Sequence, residues 1–225
     1  MKVPCALIGA QLPGMTIRQA TIRAVESAGM LCSAKELGLE DAADGLLVLT
    51  PDAPTGEDFR QYYELEDKLF TLKLTPNRSD CLGLVGIARE VAAITDANLK
   101  TLQVEPSAPQ IDETLAVCVE APQACQLYCG RLIRAISLDV PTPLWMVRRL
   151  ERSGLRTVNP VVDVTNYVML ETGQPLHAFD LAKISGASRA SIHIRYARAG
   201  EALRLLNEED VDLRPDMLVI ADEEK

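Results

Sequence analysis

The sequence predicts an α+β fold, in which helices and strands alternate along the chain without a strict repeat. Three observations support this prediction. Apolar residues make up 48% of the 225 residues, enough to build a sizeable core. Segments with apolar residues at helical spacing lie in the middle of the chain. Short apolar or alternating runs bounded by Gly and Pro precede and follow these segments. The length fits one large domain or two ordinary ones.

The first part of the chain contains two short apolar runs, residues 3–9 and 46–50, which predict buried strands. The segment between them, residues 15–38, is ambiguous. Its β-branched residues and the absence of a clear cap allow strands. A weak helical face is formed by four residues, Ile17, Ala20, Ala24 and Val25. These residues alone leave both structures open.

Residues 79–94 predict a helix, with Ser79 or Asp80 as its cap. Gly83 and Gly86 lie together on one side and would allow close packing against a neighbouring backbone. The opposite side carries an apolar stripe at helical spacing, formed by Leu84, Ile87, Val91 and Ile94. The polar, proline-bearing segment that follows predicts a linker, with a domain boundary near residues 100–113.

Beyond this linker, residues 115–121 and 129–138 predict two strands. Residues 142–154 then predict a helix with Thr142 as its cap, Pro143 at its first position and Gly154 at its end.

A second helix is predicted over residues 163–172, closed by Gly173 and followed by a loop over 174–180. Its first turns carry Asp163, Thr165 and Asn166 among Val and Met residues. Residues 191–198 alternate, which predicts a half-buried strand with Ile192, Ile194 and Tyr196 on one face and His193 and Arg195 on the other. His193 is therefore expected to be a surface residue.

The last predicted elements are a strand over 201–206, a turn over 207–210 and a strand over 217–222. Both chain ends lie close to predicted strands. We therefore expect the chain to be a piece of a longer protein.

Composition excludes several classes of protein. No run of eighteen uncharged apolar residues is present, so no membrane span is expected. The six cysteines have no regular spacing and there are only two histidines, which disfavours a zinc site and favours reduced thiols in the cytosol.

Charge is unevenly distributed. The net charge of −9 disfavours non-specific binding to nucleic acid. Residues 131–156 nevertheless contain six arginines against one aspartate and one glutamate. An acidic protein can present one basic face to RNA, although a solvated helix face is the better explanation for most of these arginines taken singly.

Four sequence blocks resemble the β subunit of bacterial phenylalanyl-tRNA synthetase. They are SAGMLCSAKELGL (27–39), LTPNRSDCLGLVGIAREVAAI (74–94), PTPLWMVRRLERSGLR (141–156) and VVDVTNYVMLETGQPLHAFD (161–180). The resemblance implies a partial OB-like β-barrel, followed by a mixed α+β domain of the B3/B4 type.

In detail, the resemblance implies three regions. Residues 1–62 would be the latter part of the OB-like tRNA-binding domain, 63–112 a small helical segment and linker, and 113–225 the first part of a truncated B3/B4 domain. It also implies strand rather than helix over residues 16–25.

The resemblance implies hydrolytic editing of tyrosyl-tRNA(Phe). Tyrosine adds only a hydroxyl to phenylalanine, and an apolar pocket rejects such an isostere poorly, so a second, hydrolytic site is useful. By the resemblance, His177, Asn166 and Thr165 would line the editing pocket. Arg156, Arg148 and Arg149 would contact tRNA. The alternative is that Thr165 and Asn166 only cap the helix and His177 is a packed loop residue.

The implied partners are tRNA(Phe) and the synthetase α subunit, in an α2β2 assembly in the cytoplasm. DNA and membranes are not expected. ATP and Mg²⁺ belong to the family's synthetic reaction, and no site for either, nor any other metal, is expected here. The alternatives are a non-catalytic RNA-binding or assembly module and a free-standing aminoacyl-tRNA deacylase. Editing elements of the family would lie beyond Lys225, so we expect the 225 residues alone to be nearly inactive.

Overall fold

The computed structural model describes residues 1–39, 43–185, 191–205 and 207–224. Contacts along the chain define two compact units, Met1–Thr71 and Leu72–Lys225. The domain limits inferred from the resemblance stay predictions. Among the described residues, no helix is both long and apolar enough to cross a membrane.

The first unit consists mainly of short antiparallel strand pairs. Its strands pair as β1 with β6, β2 with β3 and β4 with β5, and one short helix, α1 (Phe59–Tyr62), follows them. The strands are β1 (Cys5–Leu7), β2 (Gln11–Leu12), β3 (Met15–Thr16), β4 (Ala20–Ile22), β5 (Val25–Ser27) and β6 (Gly29–Leu31).

Strand structure in the ambiguous segment confirms what the resemblance implied and shows that the weak helical face was misleading. The predicted strand over 46–50 is wrong, because this run contributes only a single bridge between Lys2 and Leu49. The three pairs form separate two-stranded sheets. Within the described part of this unit no closed barrel is present, and the OB-like barrel is not confirmed.

A small core holds the first unit together. Ala6, Ile17 and Cys32 are buried at its centre, with partly buried apolar residues packed around them. Cys32 is fully buried, and this burial raises the pKa of its thiol.

The second unit contains three longer helices: α2 (Leu84–Thr95), α3 (Leu144–Arg152) and α4 (Pro160–Thr172). Helix α4 packs against both α2 and α3. Two short 3₁₀ turns, Ser79–Cys81 and Leu181–Lys183, complete the helical structure described here.

The predicted caps of α2 and α3 are wrong. Ser79 and Asp80 belong to a separate 3₁₀ turn, and α2 begins after Gly83 without a side-chain cap. Helix α3 begins after Pro143, because the Thr142 hydroxyl donates to Asp163 instead of capping the helix. Gly154, at φ +81°, does end the helix as predicted.

Helix α2 buries its glycine side and exposes its apolar side, which is the reverse of the usual arrangement. Its predicted apolar stripe is largely exposed, with Leu84 at 60% and Ile94 at 81%. The glycine side is buried instead. A Cβ at Gly83 would lie 2.3 Å from the backbone nitrogen of Gly173. The close packing predicted for the glycines is therefore confirmed.

A mixed three-stranded sheet lies in the same unit, in the order β11–β8–β7. Strand β7 (Ala116–Val119) runs parallel to β8 (Ser191–Tyr196), and β11 (Leu218–Ala221) runs antiparallel to β8. A hairpin of β9 (Ala202–Arg204) and β10 (Asp210–Asp212) lies between β8 and β11 in the chain. Strands β7, β8, β9 and β11 were predicted, although residue 206 of the predicted strand 201–206 lies outside the described residues. Strand β10 was not predicted, and its first residue falls in the predicted turn over 207–210.

The strand predicted over 129–138 is wrong. No strand is assigned to these residues, and Ile133 and Ile136 are 63% and 49% exposed. Ala135 has φ +56°, a left-handed conformation that interrupts an extended chain. The apolar residues of this segment therefore do not form the alternating face of a sheet.

Candidate functional site

Helix α4 carries two of the predicted pocket residues, and its start determines where they lie. The Asn159 side chain accepts hydrogen bonds from the backbone nitrogens of Val161 and Val162, each at 3.1 Å, and Pro160 occupies the first helical position. The helix thus starts three residues before the predicted Asp163. Because Asn159 is the cap, the alternative that Thr165 and Asn166 cap this helix is wrong.

Asp163 anchors the first turn of α4 and is only 1% exposed. Its carboxylate accepts the Thr142 hydroxyl and the backbone N–H of Val158, the latter at 2.9 Å. Both bonds tie segments on either side of α3 to the start of α4. Asp163 therefore has a structural role.

Thr165 and Asn166 lie one turn into α4 and are both half-buried. The Thr165 hydroxyl donates to the carbonyl oxygen of Val162 at 2.7 Å, within the helix itself. Within the described part of the chain, the Asn166 amide makes no hydrogen bond. Asn166 is thus the member of the pair whose polar atoms are available to a ligand.

His177 lies in the loop after α4, where it is exposed. Its ring stacks on Phe179 with centroids 6.1 Å apart, and Phe179 is itself 48% exposed. The imidazole of His177 is therefore accessible although it packs on Phe179, and its pocket role stays a prediction. Between the described residues, however, no hydrogen bond or ring contact joins His177 to Thr165 or Asn166.

Arg149 holds α3 against α4. Its guanidinium donates to the Tyr167 hydroxyl at 2.7 Å and lies 5.3 Å from the centre of the Trp145 ring. Trp145 and Tyr167 meet edge to face at 5.2 Å. Arg149 is exposed, but these contacts fix its head group in the helix interface.

Most other arginines of the 131–156 segment are also engaged within the protein. Arg148 is only 8% exposed. Arg134 forms a salt bridge with Glu113, and Arg131 donates to the carbonyl oxygen of Ser107. The basic face inferred from the sequence is therefore much smaller than the arginine count suggests.

Arg156 differs from these residues. Its side chain is exposed and forms no hydrogen bond or ion pair with any residue that the structure describes. It lines a shallow concavity of about 450 Å³ at the end of α3, together with Glu151, Gly154, Leu155 and Thr157. Of the three arginines predicted to contact tRNA, Arg156 has the most accessible charge.

The structure also brings together a polar cluster that the sequence did not reveal. His193 is half-buried rather than a surface residue, and its Nδ1 lies 2.7 Å from Oε1 of Glu120. Its Nε2 lies 3.1 Å from the hydroxyl of Ser191. The alternation of residues around His193 predicted a strand, but it did not indicate that this strand would pair with the distant strand β7.

Comparison with known proteins first defines the class of domain. Residues 124–225 match the sequence model of the B3/4 domain, which covers most of the second unit's sheet together with α3 and α4.

Comparison with curated proteins then defines the family. Similarity extends over 100% of the chain to the phenylalanine–tRNA ligase β subunit of Nitrosospira multiformis, at 71% identity. The β subunits of Thiobacillus denitrificans and Chromobacterium violaceum are 59% and 56% identical over 99% and 100% of the chain. The chain belongs to the phenylalanyl-tRNA synthetase β-subunit family, as the sequence blocks predicted, and spans 28% of the length of these relatives.

Proposed function

We propose that this chain acts as part of a phenylalanine–tRNA ligase β subunit and that its second unit contributes to the hydrolysis of tyrosyl-tRNA(Phe). The observation that carries this proposal is the similarity to proteins of that name along the whole chain, at up to 71% identity. The match of residues 124–225 to the B3/4 domain supports assigning hydrolysis to the second unit.

Ester hydrolysis needs a positioned water and stabilisation of a developing negative charge, but it does not need a protein nucleophile. The free amide of Asn166 supplies both a donor and an acceptor. His177 supplies an exposed imidazole, which can hold a water or accept its proton. We assign Thr165 a positioning role, because its hydroxyl is already bonded within α4.

The proposed tRNA contact centres on Arg156, whose exposed guanidinium suits a phosphate. Arg149, within α3, is also exposed and adds positive charge, although one of its donors already serves Tyr167. Arg148 contributes its charge from within the protein. By the family relationship, the proposal also includes the α subunit as partner, ATP and Mg²⁺ in the synthetic reaction of the assembly, and a cytoplasmic location.

Deacylation of tyrosyl-tRNA(Phe) tests this proposal directly. The β subunit, at the full length of its relatives and assembled with its α subunit, is mixed with tyrosyl-tRNA(Phe), and loss of the ester is followed over time. We expect Asn166→Ala and His177→Ala each to slow hydrolysis by about 10²-fold, the scale of one general acid–base or electrostatic contact. Gln174→Ala, an exposed change in the same loop, is the matched control.

Each outcome of this assay has a defined meaning. Absence of hydrolysis above the buffer rate, with tRNA still bound, would favour the non-catalytic RNA-binding module. Hydrolysis that is unaffected by both Asn166→Ala and His177→Ala would refute the site assignment while retaining the function. Running the 225-residue chain in parallel measures how much of the activity this part supports.

A further inference from the structure

The cluster on the sheet of the second unit has the composition of a metal site. Strands β7 and β8 are parallel, and their register places Cys118 opposite His193. Paired residues on neighbouring strands project from the same face, and so do residues two apart on one strand. Cys118, Glu120 and His193 are therefore presented together.

The three side chains are close enough to share one ion. Each offers one ligand atom, a thiol sulfur, a carboxylate oxygen and an imidazole nitrogen, and these atoms all lie within 4.8 Å of one another. In a tetrahedral zinc site the ligand atoms are about 3.3–3.6 Å apart, given the usual bond lengths. The 2.7 Å separation of Glu120 and His193 must therefore open by less than about 1 Å.

The second ring nitrogen of His193, Nε2, already has a hydrogen-bond partner. Nε2 lies 3.1 Å from the Ser191 hydroxyl, which in turn donates to Glu223 at 3.3 Å. Ser191 is only 7% exposed, so burial restricts the position of its hydroxyl. Metal-binding histidines commonly use their second nitrogen in this way, which orients the ring and increases its basicity.

A second group of potential ligands provides an internal comparison. Asp80, Cys81 and Glu90 also lie within 4.8 Å of one another. The Arg78 guanidinium, however, donates to both carboxylates and to the Cys81 sulfur. The Arg78 guanidinium already occupies that group, whereas Arg195, on the same strand as His193, forms its salt bridge with Glu201.

We propose that Cys118, Glu120 and His193 bind a divalent cation of the zinc class, with water as the fourth ligand. Thiolate, imidazole and carboxylate are the donors that zinc prefers, whereas Mg²⁺ and Ca²⁺ prefer oxygen alone. Cys118 and Glu120 are exposed, so the fourth position is open to solvent. On binding, the Cys118 thiol releases its proton to solvent, and a neutral His193 carries its proton on Nε2, directed at Ser191.

This site is independent of the proposed editing function. It would also reverse the expectation, drawn from irregular cysteine spacing, that the chain has no metal site. Spacing rules detect ligands that are near one another in sequence, and His193 reaches Cys118 only through pairing of distant strands.

Titration of the 225-residue chain with Co²⁺, in a thiol-free reductant, tests the proposal. We expect saturable binding of one ion with a thiolate-to-cobalt absorption band, and displacement of the ion by Zn²⁺. Cys118→Ser should abolish the band, and His193→Ala should weaken binding at least tenfold. Ser191→Ala should weaken it about tenfold, the effect expected of an outer-shell partner.

Cys129→Ser is the matched control, because Cys129 is an exposed free cysteine outside the cluster, and it should leave the band unchanged. Far-ultraviolet circular dichroism of each variant without metal checks that the fold is retained. Failure to bind Co²⁺ or Zn²⁺ stoichiometrically, or a thiolate band that survives in Cys118→Ser, would overturn the proposal.

Discussion

At the scale of single residues, buried charges are the most informative feature of this protein. Arg195 is 4% exposed and forms a salt bridge with Glu201, with an N–O distance of 2.7 Å. Asp163 is buried with neutral hydrogen-bond donors instead. Each charged group bonds to a side chain or a backbone group from another segment, so each helps to fix the position of its strand or helix.

The Arg195–Glu201 pair makes stability depend on pH. The hydrogen bonds from Arg195 and from the backbone of Arg198 hold the pKa of Glu201 at about 2, below the value of about 4.3 for a free glutamate. A lowered pKa stabilises the folded state above the unfolded value. This contribution is therefore complete at neutral pH and is lost as the pH falls from about 4.3 towards 2.

We expect Glu201→Gln to lower the free energy of unfolding at pH 7 by about 2 kcal/mol, because buried Arg195 loses its charged partner. The difference from the unsubstituted protein should shrink between pH 4 and pH 2. Urea unfolding at a series of pH values measures both effects. Glu224→Gln, at an exposed position, is the control, and a difference that did not change with pH would contradict the linkage.

At the scale of the elements, the contact between the start of α2 and the end of α4 depends on the absence of a side chain. Gly83 approaches the backbone of Thr172 and Gly173 too closely for any Cβ. Gly83 itself has an ordinary extended conformation, with φ −124°. Its requirement for glycine is therefore a matter of space rather than of backbone strain.

Gly83→Ala should accordingly lower the free energy of unfolding by about 1–3 kcal/mol, as overpacked sites do. Gly130→Ala is a matched control, since the nearest atom to its added Cβ would be Val117 Cγ2 at 4.0 Å. This control should be neutral or slightly stabilising. Equal midpoints of urea unfolding for the two variants would show that the α2–α4 contact accommodates the added methyl group without loss of stability, and would contradict this prediction.

The same elements show what the sequence can predict. Helices α3 and α4 were predicted because apolar spacing, Pro143, Gly154 and Gly173 are local signals. The start of α4 was misplaced because Asn159 caps the helix and Pro160 begins it, three residues ahead of Asp163. The strand over 129–138 was wrong because a strand needs a partner, which an apolar run alone does not specify.

The candidate site was predicted less completely than the helices. Its residues came from the family resemblance, and their availability depends on packing that the sequence does not reveal. The sequence does not distinguish Arg149 from Arg156. In the structure, the Arg149 guanidinium donates to Tyr167, whereas that of Arg156 has no hydrogen-bond partner among the described residues. The cluster around His193 was missed because it depends on the pairing of β7 with β8, which are far apart in sequence.

At the scale of the whole molecule, the described arginines of the 131–156 segment are mostly engaged within the protein, in a chain whose overall charge is negative. The net charge is −9, and several arginines of the basic segment bind partners within the protein. The contribution of this segment to RNA affinity should therefore depend on a small number of accessible arginines rather than on a broad basic surface.

Arg156→Gln should weaken binding of tRNA(Phe) several-fold at low salt. It should also reduce the slope of log affinity against log salt concentration by about 1, as expected for the loss of one phosphate contact. Arg214→Gln, which removes an exposed arginine paired with Asp216, is the control of equal charge change. An unchanged slope in Arg156→Gln would exclude Arg156 from the tRNA contact.

The parallel pairing of β7 with β8 also has a consequence for the order of folding. Residues 120–190, including α3 and α4, lie between the two strands and form the loop that the pairing must close. Closing a long loop reduces chain entropy before the strand contacts can contribute favourable energy, and non-local pairings of this kind therefore form slowly. We therefore expect the local α3–α4 contacts to form first and the β7–β8 pairing to follow. A cation bound between the strands would then slow unfolding of the finished sheet without accelerating its formation.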